Sequence, residues 1–346
     1  MVCGIFRWDG LNFFGDGVFW RLRNMQPLST IALPCHLMGV FVTAIGVLLL
    51  AAALLDVFQT LFHPAGRGAM SDWTARLVWR VFRRMAARKS KVLTYAGPVS
   101  ILAIIASWAA LTWFGFALIY LPDLQNRFTP SPGENAGARG LAEALSLSIG
   151  ALITVSEGSY AIPHWLQLLR GLEAVIGFGL LTASVSWLLS IYPVLESRRS
   201  VAQRATLLHD AERENQLDMV RDSPRQAEDW IFNLGAALAG LRNQMAQFPI
   251  TYYFDMGDAE TALAGTLSYM LELADRAVNS EAPSLRLSGT VLGGAVHSLL
   301  ELLARDFLSI DTGDKQAILR AYASEQMTDL ILRDRTIAYP RRYDAA

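Results

Sequence analysis

The sequence predicts an all-α membrane protein, with three transmembrane helices, a re-entrant helix and loop between the second and third, and a helical cytosolic domain. Three observations predict it. Long apolar stretches run over 37–62, 97–121 and 171–192. Of the 346 residues, 53% are hydrophobic and only 18% are charged. Beyond residue 200 the apolar residues recur at helical spacing. This composition excludes a disordered chain, and a net charge of −1 excludes a wholly basic nucleic-acid binder. Cys3 and Cys35 cannot build a disulfide framework, and no Cys/His cluster has metal-ligand spacing.

Leu37 to Phe62 is 26 residues with a single charge, Asp56; Gly97 to Leu121 is 25 residues with none; Gly171 to Tyr192 is 22 with only Glu173. Roughly 20 apolar residues carry a helix across about 30 Å of hydrocarbon. The first span, 37–63, does not read as a signal peptide. It starts late, exceeds an apolar core of roughly 7–15 residues, and lacks a small-residue cleavage site. Residues 1–36 mix Phe6, Trp8, Phe13, Phe14, Phe19 and Trp20 with Arg7, Arg21 and Arg23. They read either as an interfacial segment or as a leader. Asp56 is an expensive intramembrane charge and so a functional candidate. Its place near one end of the span equally suits snorkelling, or a partner in the next loop.

The loop 64–96 carries Arg67, Arg76, Arg80, Arg83, Arg84, Arg88, Lys89 and Lys91 against Asp72 alone. The positive-inside rule puts it in the cytoplasm, where it serves as a topology determinant or meets anionic membrane lipids. Span two then leaves the cytoplasm and span three returns, with Arg198, Arg199 and Arg204 following it. The C-terminus is therefore expected inside. Arg7, Arg21 and Arg23 mildly oppose an outside N-terminus.

Between these spans, Pro122, Pro130, Pro132, Gly133, Gly137 and Gly140 mark an irregular loop, and a short apolar stretch follows at Leu141–Val155. It is too short to span and reads as re-entrant or buried. Non-helical backbone at membrane depth is tolerated where protein or a water-filled cavity satisfies it. Ala144, Leu145, Ser148, Leu152, Thr154, Val155 and Gly158 stand in the register of a known pattern, Ala-Leu-x-x-Ser-x-x-Thr-Leu-Thr-Thr-Val-Gly-Tyr-Gly-Asp. Pro163, Arg170, Glu173 and Gly177 follow in the matching positions. The segment resembles the two-transmembrane potassium channel family, over roughly Gly97 to Tyr192.

The resemblance implies a pore domain over 97–193: outer helix 97–121, pore helix 141–154, selectivity filter 154–158 and inner helix 171–192. It also implies a homotetramer passing a monovalent cation, potassium in the family, by Thr154, Val155, Ser156, Glu157 and Gly158. This filter diverges: Ser156, Glu157 and Ser159 stand where the family has Gly, Tyr and Asp. Glycine reaches backbone angles that cost other residues about 1 kcal/mol or more, so selectivity is expected to be altered. Four copies of Glu157 around one axis form a carboxylate ring, which selects cations and holds a divalent ion or shares protons. The alternative places Glu157 off the axis, in a hydrogen bond behind the filter. Glu173 reads as paired or interfacial. Gly177 and Gly179 read as an inner-helix hinge or as close helix packing.

Residues 194–346 read as a cytosolic domain of four to six helices. Ser223-Pro224 is a helix start, with Trp230, Leu234, Leu238 and Leu241 on one face. Gly289 to Gly294 lacks the preceding strand and the spacing of a dinucleotide fingerprint. His209, with Asp210 and Glu212, is followed by no ATP-binding glycine boxes, and His297 reads as a core histidine. The domain's ligand is unspecified, and no metal or catalytic constellation emerges. The near-neutral total hides two halves: residues 1–199 carry a net +6 and residues 200–346 a net −7, itself a domain signal. The leading reading is a tetrameric cation channel in the plasma membrane, a bacterial inner membrane. The alternative is a non-conducting, channel-like sensor or scaffold.

Overall fold

A computed structural model describes residues 32–62, 68–86, 90–127, 140–155, 164–254, 263–308, 310 and 313–326. Among these residues there is no strand. The helices are α1 (Ala32–Phe62), α2 (Ala69–Ala86), α3 (Ala96–Arg127), α4 (Leu141–Leu152), α5 (His164–Asn215), α6 (Met219–Asp222), α7 (Pro224–Gln247), α8 (Leu263–Val278), α9 (Pro283–Leu303) and α10 (Lys315–Glu325). Tight 3-10 turns at Ser90–Tyr95 and Pro249–Tyr253 lead into α3 and follow α7.

The helices α1, α3, α5 and α9 are long and apolar enough to cross a membrane. They differ in what covers them. Only 11% of the apolar window of α1 is buried within the protein, against 56% for α9. Small residues let α1 and α3 pack closely and antiparallel. Gly39 meets the ring of Pro122, and a Cβ on Gly46 would lie 2.6 Å from the Gly115 carbonyl oxygen. Further along the pair, the Trp108 indole donates to Asp56 at 2.8 Å.

The stretch 64–96, expected as a loop, is helical over much of its length. Ser71, Ala75 and Trp79 form one buried stripe of α2 at four-residue spacing. Its arginines lower the mean hydropathy enough to hide that amphipathic pattern from a search for apolar runs. The third apolar stretch likewise belongs to a helix that runs past its expected end at 192: α5 continues through Pro193 to Asn215. Beyond Pro193 its Val201, Ala202 and Ala205 enter the same core as α7, α8 and α9.

The C-terminal bundle is built around α9. Gly289 backs onto Ala274 and Ala277 of α8, and the backbone at Leu292 lies against Gly235 of α7. Pro224 and Pro283 each occupy the first turn of their helix, where the missing N–H costs no hydrogen bond. Two expectations are corrected. Trp230 is 40% exposed, while Leu234, Leu238 and Leu241 fill the core. His297 is no core residue: its half-exposed ring lies 3.2 Å from Glu301, one turn on. The helical face at this point is set by Leu292, Val296, Leu299 and Leu303, which leaves His297 on the outer side.

Candidate functional site around Glu173

The helix α4 is apolar enough to be buried and begins after Gly140 without a side-chain cap. Ala144, Leu147 and Ser148 face inward, sharing a core with Phe116, Tyr120 and Leu124 of α3 and Leu166 of α5. The polar centre of this unit is Glu173, which is fully buried. Its Oε1 accepts the Ser148 hydroxyl at 2.5 Å and its Oε2 accepts the Tyr120 hydroxyl at 2.7 Å. One carboxylate thus joins α3, α4 and α5. Burial of such a group is tolerable only with its acceptors satisfied, and here each oxygen has its own donor. The α3–α4 contact is reinforced by the Trp113 indole, which donates to the Leu145 carbonyl at 2.8 Å.

At its far end α4 closes on itself. Thr154 N–H donates to the Ala151 carbonyl at 3.0 Å and Val155 N–H to the Gly150 carbonyl at 2.8 Å. This is a Schellman closure with Thr154 in the left-handed position, at φ 60°. Glycine usually fills that place, and a β-branched residue there carries about 1–2 kcal/mol of strain. Gly177 has a packing role: a Cβ there would run into the Leu152 carbonyl oxygen, whereas at Gly179 it would meet open space. Ser156, Glu157 and Gly158 lie outside the described residues, while Thr154 and Val155 are exposed at the end of α4.

The second intramembrane charge, Asp56, does not meet Glu173's cluster. It closes the start of α2 instead. The Met70 N–H donates to its Oδ1 at 2.8 Å, and the Ser71 N–H and hydroxyl donate to Oδ2 at 3.2 and 2.5 Å. These N–H groups have no partner within the helix itself, and the negative charge complements the helix dipole. Gly68 permits the approach, since a Cβ on it would collide with the Asp56 carboxylate. Beside this junction a cavity of about 30 Å³ lies among Thr60, Ser71, Ile104, Trp187 and Pro249, room for about one water molecule.

Below the apolar segments, Arg198 clasps α5 to the bundle. It is 2% exposed and donates to the carbonyls of Thr251 and Phe254, each at 3.0 Å, and to the Tyr322 hydroxyl at 3.2 Å. Arg83 of α2 reaches Glu325 at 2.9 Å, and the Tyr252 hydroxyl donates to the same carboxylate. Burial first, and then the adjacent Glu325 charge, push the Tyr252 phenol up from its ordinary range. On the far side of the bundle, Arg276 pairs with both oxygens of Glu212, at 3.1 and 2.9 Å, and with Asp218 at 2.9 Å. Burial works to raise the Glu212 carboxyl. The Arg276 pair, the Met219 N–H and the Tyr269 hydroxyl outweigh it and hold Glu212 below its usual range.

The sequence marks Glu173 as paired or interfacial, and Asp56 as a functional candidate, a snorkelling charge or the partner of the next loop, but does not reveal Tyr120, Trp108 and Trp113 as donors. Tryptophan, tyrosine and serine score near neutral in hydropathy, so their donors vanish inside an apolar run. Arg198 read only as a topology marker. Among the described residues no three His, Cys, Asp or Glu side chains converge as a metal site.

Helices this long and apolar, with their carboxylates satisfied inside the fold, define a helical membrane protein. Comparison with known proteins agrees. A Bacillus subtilis (strain 168) protein named "Uncharacterized membrane protein YdjJ" is 28% identical over 217 residues, a match covering 60% of this chain and 61% of the relative. No protein-family model matches the chain, and no solved structure matches it.

Proposed function

We propose that the protein is a pore-loop cation channel resembling potassium channels, in which four copies surround one pore. The observation that carries this reading is the setting of α4. Its 12 residues extend about 18 Å, too short to cross the hydrocarbon, yet Glu173 locks it between two long apolar helices.

The path of the chain supports the same reading. α2 precedes α3, and the bundle follows α5. The two touch through Arg83 and Glu325, and through Trp79, whose ring centre lies 5.7 Å from that of Tyr253. Elements in contact outside the apolar segments lie on one side of the bilayer, so the chain between them crosses an even number of times. α3 and α5 supply two crossings, and α4 enters and returns. With α1 this makes three spans, and α9, packed by α7 and α8, is a core helix of the bundle. Arg76, Arg80, Arg83 and Arg84 support a cytoplasmic position for that side, and so a reading with the C-terminal bundle inside a bacterial-type plasma membrane. Cations then pass Thr154, Val155, Ser156, Glu157 and Gly158, beside the negative end of the α4 dipole.

One observation favours the second reading, a non-conducting sensor or scaffold. The Gly150 and Ala151 carbonyls are taken up by the N–H groups of Val155 and Thr154, not turned toward an ion. Potassium flux in proteoliposomes separates the two. A channel collapses an imposed gradient, with Glu157→Gln changing its cation preference; a scaffold leaks no faster than protein-free liposomes.

A further inference from the structure

Among the described residues nothing covers the outward face of α2. Trp73, Leu77, Val81 and Met85 recur every four residues along it, each between 39% and 60% exposed. Arg80 and Arg84 stand on the adjoining exposed strip. The opposite face is committed to the core through Ser71, Ala75 and Trp79. Arg83 on the flank is engaged with Glu325. Four apolar side chains left bare on a helix already docked by its other face call for a second apolar surface.

We propose that this face lies on the anionic phospholipid surface of the leaflet that α1 and α3 enter. Three things favour lipid. α2 joins the end of α1 to the start of α3, which puts it at one membrane surface. The exposed Trp73 on α2 and Tyr95 ahead of α3 are the amphipathic rings typical of that level, and Phe58 and Phe62, stacked 5.5 Å apart, leave the end of α1 apolar. The charges are also complementary. A helix with an apolar strip beside arginines sinks its apolar side toward the acyl boundary and sets guanidinium groups among phosphates, where an anionic surface attracts each cation.

The test uses the full chain with Cys3 and Cys35 replaced by serine, Leu77→Cys labelled with a fluorophore, in nanodiscs of phosphatidylcholine with or without phosphatidylglycerol. A lipid-borne nitroxide is expected to quench the label strongly and a water-soluble quencher weakly. Phosphatidylglycerol is expected to raise the unfolding temperature of the unlabelled protein, a rise lost in Arg80→Gln/Arg84→Gln and retained in Arg80→Lys/Arg84→Lys. Free access of the aqueous quencher overturns the proposal. So does shielding from both quenchers, which puts a protein or a second copy on this face. A phosphatidylglycerol effect that survives the double glutamine variant also overturns it.

Discussion

The carboxylate of Glu173 receives the Ser148 hydroxyl on one oxygen and the Tyr120 hydroxyl on the other, so a single side chain ties together three helices that are distant in sequence. Removing it strands the buried Tyr120 hydroxyl at a cost of about 1–3 kcal/mol, while the Ser148 hydroxyl falls back on the Trp113 carbonyl at 3.0 Å. Glu173→Ala is therefore expected to lower the unfolding temperature in detergent far more than Glu173→Gln, whose amide oxygen keeps one acceptor. Equal losses in the two variants would mean that the carboxylate organises nothing.

The two donors are coupled through that one acceptor. Tyr120→Phe and Ser148→Ala each remove a hydrogen bond of about 0.5–1.5 kcal/mol net, more because the acceptor is charged. A double-mutant cycle on unfolding free energy is expected to show an interaction term of roughly 0.5 kcal/mol or more. Strict additivity would contradict a shared centre.

Gly177 and Gly179 are separable. Gly177→Val forces a side chain against the backbone carbonyl of Leu152 and is expected to destabilise the protein by about 1–3 kcal/mol or more. Gly179→Ala faces open space and is expected to leave stability unchanged or slightly improved. Thermal unfolding of the two variants checks the contrast.

Asp56 acts at the start of α2. Asp56→Ala removes the acceptor for two N–H groups, the Ser71 hydroxyl and the Trp108 indole. Loss of a cap alone costs about 0.5–2 kcal/mol, and a stranded indole adds to that. Hydrogen exchange is expected to rise first at Met70 and Ser71, ahead of the rest of α1 and α3.

The bundle carries an acid-sensitive pair. Glu212 titrates below its ordinary value of 4.5 when folded, so the unfolded chain binds the proton more readily. The stabilisation is complete above that ordinary value and is lost as pH falls through the lower folded one. Glu212→Gln is expected to lower stability by about 1–3 kcal/mol at neutral pH. The gap to the unsubstituted protein should close in strong acid; a gap independent of pH would refute this assignment.

Much of the architecture was legible because length and apolarity report on burial without reference to neighbours. The stretches 37–62, 97–121 and 171–192 all fall inside helices, and the short helix at 141–152 lies within its expected range. What escaped was pairwise. α2 was hidden because its arginines dilute the apolar stripe of Ala75 and Trp79. The partners of Glu173 escaped because Tyr120 and Ser148 lie 53 and 25 residues away from it, and an apolar run conceals single hydroxyls. His297 was misplaced because an apolar helix still has an outer face.

The central claim is that α4 enters the membrane and returns, and thiol accessibility measures it most directly. In a Cys3→Ser/Cys35→Ser background, Gly140→Cys and His164→Cys flank α4, and Arg225→Cys reports on the bundle. With a membrane-impermeant reagent applied to right-side-out vesicles, the account predicts labelling at 140 and 164, and labelling at 225 only after the membrane is opened. Labelling at 140 and 164 from opposite sides would contradict it.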